Sequence, residues 1–362
     1  MASEIEELLG FLSSPSPQLK KAAVGIVRDL TGSEDGLLSL SVHSDVALPS
    51  LSRLLSQHKE VAGPAVEALI NLSQDPRLSE RMVEIGLVGT VMETLYKHEA
   101  SVTRLLVMLL VNLTQLDSGV ASLLQVGDDK MQGLYISKIV RSFCRTSTET
   151  SEDPFEHVGS ILVNISKMEA GRNILLDPKR SLLKQIIPQF DSSSLLRKKG
   201  VSGTIRNCCF DADNQLPNLL LISEFLWPAL LLPVAGKKVY SEQDLSKMPL
   251  ELGNALSHER EPVDDPELRK QALESIYMIV LQEAGRELYG PLMVHGYWKL
   301  AMKMRKTQRL WKHTNKSAHC WWVAVRIMKN HLRHHLEKTI LSSYECFCFN
   351  HDSFQKLLYV EP

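Results

Sequence analysis

The feature that most constrains this chain is a short pattern, asparagine–apolar–serine or threonine, that recurs at nearly even spacing. Asn71-Leu-Ser73, Asn112-Leu-Thr114 and Asn164-Ile-Ser166 are three copies. Asn207-Cys-Cys209 is a fourth with cysteine in the last place, and Asp29-Leu-Thr31 is a weaker first one. The intervals between them are 42, 41, 52 and 43 residues. Each copy follows a helical apolar run, such as Val66, Leu69, Ile70 and Leu72, or Leu105, Leu106, Leu109, Leu110 and Leu113. Spacings of three and four put these residues on one face, as a packing helix requires.

Periods near 40–47 residues are those of armadillo and HEAT solenoids. The expected fold is therefore all-α, an armadillo/HEAT-like right-handed superhelical solenoid whose third helices line a concave groove. Seven residues after each reference position stand Gly36, Gly119 and Gly171, with Asn214 in the fourth place and Leu78 as the exception. Glycine or asparagine there predicts a left-handed residue that ends the helix. Glu283-Ala-Gly-Arg286 repeats Glu169-Ala-Gly-Arg172, which marks a further copy. That offset sets Met278 where Asn164 stands and predicts an apolar face of Leu273, Ile276, Ile279 and Val280.

Residues 237–266, rich in Pro, Glu and Asp, read as a surface loop with a short helix at 242–245. Pro266 with Glu267 is a favoured helix entry. Residues 216–236 carry one charge, Glu224, and Pro217, Pro228 and Pro233. The prolines predict several short buried helices rather than a membrane span. The acidic start, with Glu4, Glu6 and Glu7, is unlike a signal peptide. Reduced cysteines are thus expected, and the repeated Asn-x-Ser/Thr is read as structure rather than as glycosylation acceptors.

The block Arg197-Lys-Lys-Gly-Val-Ser-Gly-Thr-Ile-Arg-Asn-Cys-Cys-Phe210 has the most distinctive neighbours of any copy. Asn71, Asn112, Asn164 and Asn207 resemble the asparagine ladder of armadillo repeats, which implies a groove that holds an extended peptide. Import receptors carry a tryptophan four residues earlier, where this chain has Glu67, Met108, Ser160 and Gly203. The 197–210 block, with Leu230-Leu-Leu-Pro-Val-Ala-Gly236, Leu175-Leu-Asp-Pro178 and Met248-Pro-Leu-Glu-Leu252, is similar to the Hgh-one homologue family. Arg260-Glu-Pro-Val-Asp-Asp-Pro-Glu-Leu-Arg-Lys270 extends that similarity. The resemblance implies a cytosolic armadillo-type protein that assists folding of translation elongation factor two with the cytosolic chaperonin. The expected compartment is the cytoplasm, with the nucleus as a second. A general armadillo adaptor, in transport or ubiquitin ligation, is the alternative.

The expected partner-binding groove comprises the four ladder asparagines with Arg197, Lys198, Lys199 and Arg206, whose cations suit an acidic stripe on a partner. Their plainer reading is a solvated helix face. The ladder's plainer reading is hydrogen bonding from repeat to repeat. No cofactor, metal, small-molecule substrate, membrane or nucleic acid is expected as a partner. Vicinal Cys208 and Cys209 read as buried apolar residues rather than a redox pair. Gly200-Val-Ser202-Gly lacks the last glycine of a nucleophile elbow, and no phosphate loop is present, so no enzymatic activity is expected.

Composition changes after Arg286. Up to that residue 29 Lys+Arg face 37 Asp+Glu, and beyond it 12 face 5, which together give the net charge of −1. Four of the five tryptophans also lie in the tail. The organisation is therefore read as a solenoid over residues 1–286 and an atypical basic tail over 287–362. Its basic run from Lys303 to Lys316 is read as a by-product rather than a nucleic-acid arm. His331, His334, His335, Cys346, Cys348 and His351 lack paired metal-ligand spacing. Read one base out of register, permissible codons for Glu287 to Trp322 give a string that resembles the family's continuation. The tail is therefore expected to be an out-of-frame or alternatively spliced terminal repeat. Sequencing the transcript across the codons for Glu283 to Glu287 is expected to show the shift, and an unbroken frame shared with related genes overturns it.

Overall fold

The computed structural model describes residues 4–145, 153–235, 239–246, 248, 250–259, 261 and 263–285. Among these every regular element is a helix. The chain opens with α1 (Glu4–Phe11) and α2 (Pro17–Leu30), then proceeds in triplets that each end on a long helix. These are α3 (Glu34–Val42), α4 (Ser44–Leu54) and α5 (Lys59–Leu72), then α6 (Pro76–Glu84), α7 (Leu87–Thr94) and α8 (Ala100–Leu113). Next come α9 (Asp117–Leu124), α10 (Leu134–Cys144) and α11 (Val158–Lys167), followed by α12 (Glu169–Leu176), α13 (Leu182–Ile186) and α14 (Leu195–Cys209). The last described set is α15 (Ala212–Leu220), α16 (Ser223–Ala235), α17 (Glu242–Leu245), α18 (Leu250–Leu256) and α19 (Pro266–Leu281). Residues Met1–Gln282 form one compact unit.

The long helices stack in sequence order: α2 on α5, α5 on α8, α8 on α11, α11 on α14 and α14 on α19. Their starts are fixed locally. Ser16, Asp75, Ser194 and Asp265 each accept a backbone N–H two or three residues on, and prolines 17, 76 and 266 follow in the first helical turn. Stacking supplies the stability. In α8, Val102, Leu106, Val107, Leu109, Leu110 and Leu113 are buried. At about 1.5–3 kcal/mol for each large apolar side chain, that face contributes on the order of 10 kcal/mol before chain entropy is subtracted.

The periodic glycines act differently from the sequence expectation. Gly36, Gly119 and Gly171 lie in the first turns of α3, α9 and α12, outside the left-handed region. A Cβ on them would meet the carbonyl oxygens of Leu30, Leu113 and Ile165 at 2.1, 2.0 and 1.9 Å. Their function is close approach: each lets a new repeat begin against the end of the preceding long helix. In the second repeat, where Leu78 replaces glycine, the neighbouring Ser79 hydroxyl donates to Ser73 O at 2.6 Å instead.

Two other expectations need correction. Pro228 and Pro233 do not divide their segment, because both lie within the single helix α16. Leu226, Trp227, Leu230, Leu231 and Val234 bury α16 on several sides, and that packing holds the helix through the lost backbone bonds. The bend, 108°, falls instead between α15 and α16, and no single described helix is long and apolar enough to cross a membrane. The 237–266 insertion is also more than a loop. Besides α17 it forms α18, whose Leu252 and Leu256 are fully buried and which packs on α16. On α19, Ile276, Ile279 and Val280 are buried as expected, while Leu273 is half-buried and Leu268 and Ala272 take part instead.

The tightest joint is between α11 and α14. A Cβ on Gly200 would lie 2.3 Å from Gly159 Cα, so the two backbones touch. Glycine within a helix ordinarily costs about 1 kcal/mol relative to alanine. Here the clash reverses that sign. Gly200→Ala is expected to destabilise by about 3 kcal/mol in urea denaturation. Gly25→Ala in α2, where a Cβ has open space, should stabilise by about 0.5–1 kcal/mol.

Candidate functional site: the long-helix groove

Each ladder asparagine reaches back to the preceding repeat. Asn71 Nδ2 donates to Thr31 Oγ1 at 2.9 Å. Asn112 Nδ2 donates to Ser73 Oγ at 2.9 Å and to Ile70 O at 3.4 Å. Asn164 Nδ2 donates to Thr114 Oγ1 and Val111 O, both at 3.2 Å. Asn207 Nδ2 donates to Ser166 Oγ at 3.0 Å and Val163 O at 3.2 Å. The accepting hydroxyls are themselves donors within their own helices. Ser73 donates to Ile70 O at 2.7 Å, Thr114 to Leu110 O at 2.7 Å and Ser166 to Val163 O at 2.9 Å.

This explains the third letter of the repeated pattern. A hydroxyl can donate to its own helix and still accept from the next repeat, so the buried polar groups are satisfied in both directions. Asp29, in the asparagine position near the end of α2, pairs with Arg28 at 2.7 Å. At α19 the polar pair is replaced as a pair, with Met278 in the asparagine position and Cys209 in the hydroxyl position.

With two acceptors for two hydrogens, the donor capacity of Asn112, Asn164 and Asn207 is spent inside the solenoid. Asn164 Oδ1 accepts from Lys167 Nζ at 3.1 Å. The Oδ1 atoms of Asn112 and Asn207 have no partner among the described residues and remain as acceptors.

The cations of the 197–206 stretch separate into different situations. Arg197 is buried, not displayed to a partner. It pairs with Asp153 at 2.6 Å, donates to Phe143 O and to Gln189 Oε1 at 3.0 Å, and lies over the Phe143 ring at 4.4 Å. A guanidinium so fully engaged is a structural tie. Lys199 pairs with Asp265 at 2.9 Å, and Arg206 pairs with Glu274 and stacks over Phe210 at 4.7 Å. Both join α14 to α19. Lys198 is half-buried and has no ion pair among the described residues.

The aromatic slots of import receptors are closed here for a physical reason. A Cβ on Gly203 already lies 3.0 Å from Val163 Cγ2, which leaves no room for an indole. Glu67 instead faces Arg28 at 3.8 Å. In their place the middle of the groove shows half-buried Pro64, Ile70, Leu105, Met108, Val111 and Val163.

Sequence reasoning missed several groove residues. Arg172 donates to Ser166 O at 3.2 Å and Lys167 O at 2.7 Å, which caps the end of α11, and pairs with Asp211 at 3.1 Å. Its signal was the Glu-Ala-Gly-Arg repeat; the second arginine, Arg286, lies outside the described residues. Arg104 and Glu156 approach at 4.0 Å, and Ser194 Oγ donates to Glu156 at 2.6 Å. Arg104 Nε and His157 Nε2 are buried without a hydrogen-bond partner among the described residues. Burial, and then the nearby Arg104 charge, holds the His157 imidazole below its ordinary range, which disfavours its charged form.

The thiols are inert by environment. Burial raises Cys208 far above the ordinary thiol range, pushes Cys209 up to about 12 and raises the half-buried Cys144 to about 11. No three His, Cys, Asp or Glu side chains cluster as metal ligands among the described residues. The tail histidines and cysteines, the basic run and the out-of-frame reading all lie outside the described residues.

A double-mutant cycle between Thr114→Val and Asn164→Ala is expected to show about 1 kcal/mol of coupling in urea denaturation. Additive losses there would remove the hydroxyl link from the account of register.

Residues 94–270 match the family described as Domain of unknown function (DUF383). Protein HGH1 homolog of Homo sapiens is 31% identical over 300 residues, covering 79% of this chain and 73% of that protein. Protein HGH1 homolog of Xenopus laevis is 27% identical over 294 residues, 78% of each. Among solved structures, an engineered protein superposes with a TM-score of 0.65 at 15% identity, covering 90% of this chain and 68% of its own. A designed armadillo repeat protein in complex with the peptide (KR)4 gives 0.55 at 17% identity, covering 76% and 99%. The chain therefore has the armadillo fold, and it belongs to the HGH1 homologue family.

Proposed function

We propose that this chain is a non-catalytic folding cofactor. Its long-helix groove captures newly made translation elongation factor two and presents it to the cytosolic chaperonin, in the cytoplasm and secondarily in the nucleus. The support is family membership together with one observation. The 197–210 block that carries the family resemblance forms α14, which packs on both α11 and α19 and contributes Asn207 to the groove. The binding function is placed in residues 1–286, and the 287–362 tail is given no part in it. No cofactor, membrane or nucleic acid enters this reading.

A general peptide-binding adaptor is the second reading. The unspent Oδ1 acceptors of Asn112 and Asn207 favour it, since an acceptor for backbone N–H groups does not depend on the partner's side chains.

Affinity capture with the full chain from cytosol discriminates the two. Enrichment of the elongation factor and chaperonin subunits is expected. Recovery of transport receptors or ubiquitin ligases without them would establish the adaptor reading instead.

A further inference from the structure

The groove's charges are unevenly neutralised. Asp153 is held by Arg197 at 2.6 Å and Glu274 by Arg206; near the first repeat Glu60 is held by Lys21 at 2.9 Å, while one cation, Arg28, serves both Asp29 at 2.7 Å and Glu67 at 3.8 Å. Glu156 accepts from Ser194 and stands 4.0 Å from Arg104, so it offsets that cation only in part, and Arg104 Nε is buried without a hydrogen-bond partner among the described residues. Lys167 is exposed and has no carboxylate partner among the described residues; its amine rests on Asn164 Oδ1. Burial, and then the nearby Arg104 charge, holds the His157 imidazole below its ordinary range and so disfavours its charged form. The middle of the groove therefore carries surplus positive charge above an apolar surface of Leu105, Met108, Val111 and Val163.

Helical spacing sets the width of this region. Arg104 stands eight residues before Asn112, about 12 Å along its helix, and Lys167 stands three residues after Asn164, about 4–5 Å the other way. The ladder runs between the two cations. An extended segment lying along the ladder sends successive side chains to opposite sides, so it can reach both edges at once. The remaining amide acceptors suit its N–H groups, because the ladder's own donors at Asn112 and Asn207 are spent.

We infer that the groove between α5 and α14 takes an extended acidic and apolar segment of its partner, with carboxylates on Lys167 and Arg104 and apolar side chains on the Met108–Val111 surface. This rests on the groove being the partner site. A basic segment is disfavoured, because the acids it would need are already paired and the cations beside them repel it.

The test is fluorescence anisotropy on the full chain with two labelled peptides, (Leu-Leu-Asp-Asp)3 and (Leu-Leu-Lys-Lys)3, which share their leucines and carry opposite charge. The acidic peptide is expected to bind saturably and to weaken as salt rises, and the basic one is not. Lys167→Glu, an exposed change that leaves helical circular dichroism unaltered, should weaken the acidic peptide about tenfold. Equal or tighter binding of the basic peptide, no binding of either, or indifference to Lys167→Glu would each overturn the inference. A chain that captures the elongation factor and chaperonin yet prefers the basic peptide keeps the proposed function and loses this inference. One that binds the acidic peptide as expected but captures neither protein does the reverse.

Discussion

Each long helix in this protein can bury its apolar side only against its neighbour, and the fold depends on that mutual burial. The energy lies in the stack: α8 alone hides six large aliphatic side chains. The polar ladder is smaller by about an order of magnitude, since a hydrogen bond adds only about 0.5–1.5 kcal/mol net. Its contribution is register. An apolar face tolerates sliding, whereas an amide that must find one hydroxyl and one carbonyl at the end of the preceding long helix does not. The glycines serve the same end from the backbone side, by allowing contact where a methyl group would hold helices apart.

Much of this was legible in the sequence because the determinants repeat. A period near 40 residues, an apolar face at helical spacing and an asparagine at a fixed place are sufficient to specify stacked helices. The glycines could be located but not interpreted. Sequence spacing cannot distinguish a residue that needs positive φ from one that needs to lack a Cβ, and Gly119 turned out to need the second. The prolines of α16 misled for a related reason: a local rule about helix interruption gave way to burial on several sides. In the insertion, Leu252 and Leu256 were too short a pattern to separate α18 from a loop.

The candidate site was legible in position more than in chemistry. Each of the four asparagines donates to the preceding repeat, a direction that the spacing of the pattern does not specify. The 197–206 cations looked like one basic patch in sequence. In space Arg197 turns inward to Asp153, Lys199 and Arg206 reach α19, and the less neutralised charges, Arg104 and Lys167, come from elsewhere. Charge in a solenoid is set by what the adjacent repeat presents, and that neighbour lies about 40 residues away in the chain.

The replacement of asparagine and hydroxyl together, at Met278 and Cys209, has a consequence for how such an array can change in length. Between Thr31 and Asn207 every junction offers the same polar socket and plug, so a unit could be duplicated or lost there and the new junction would still fit. Past Cys209 the connection is of another kind. A unit copied from the interior would bring an asparagine to a junction that offers sulfur, and its amide would be buried with weaker satisfaction. Among the described residues the solenoid thus has interchangeable units up to α14 and a joint to α19 that is specific to it.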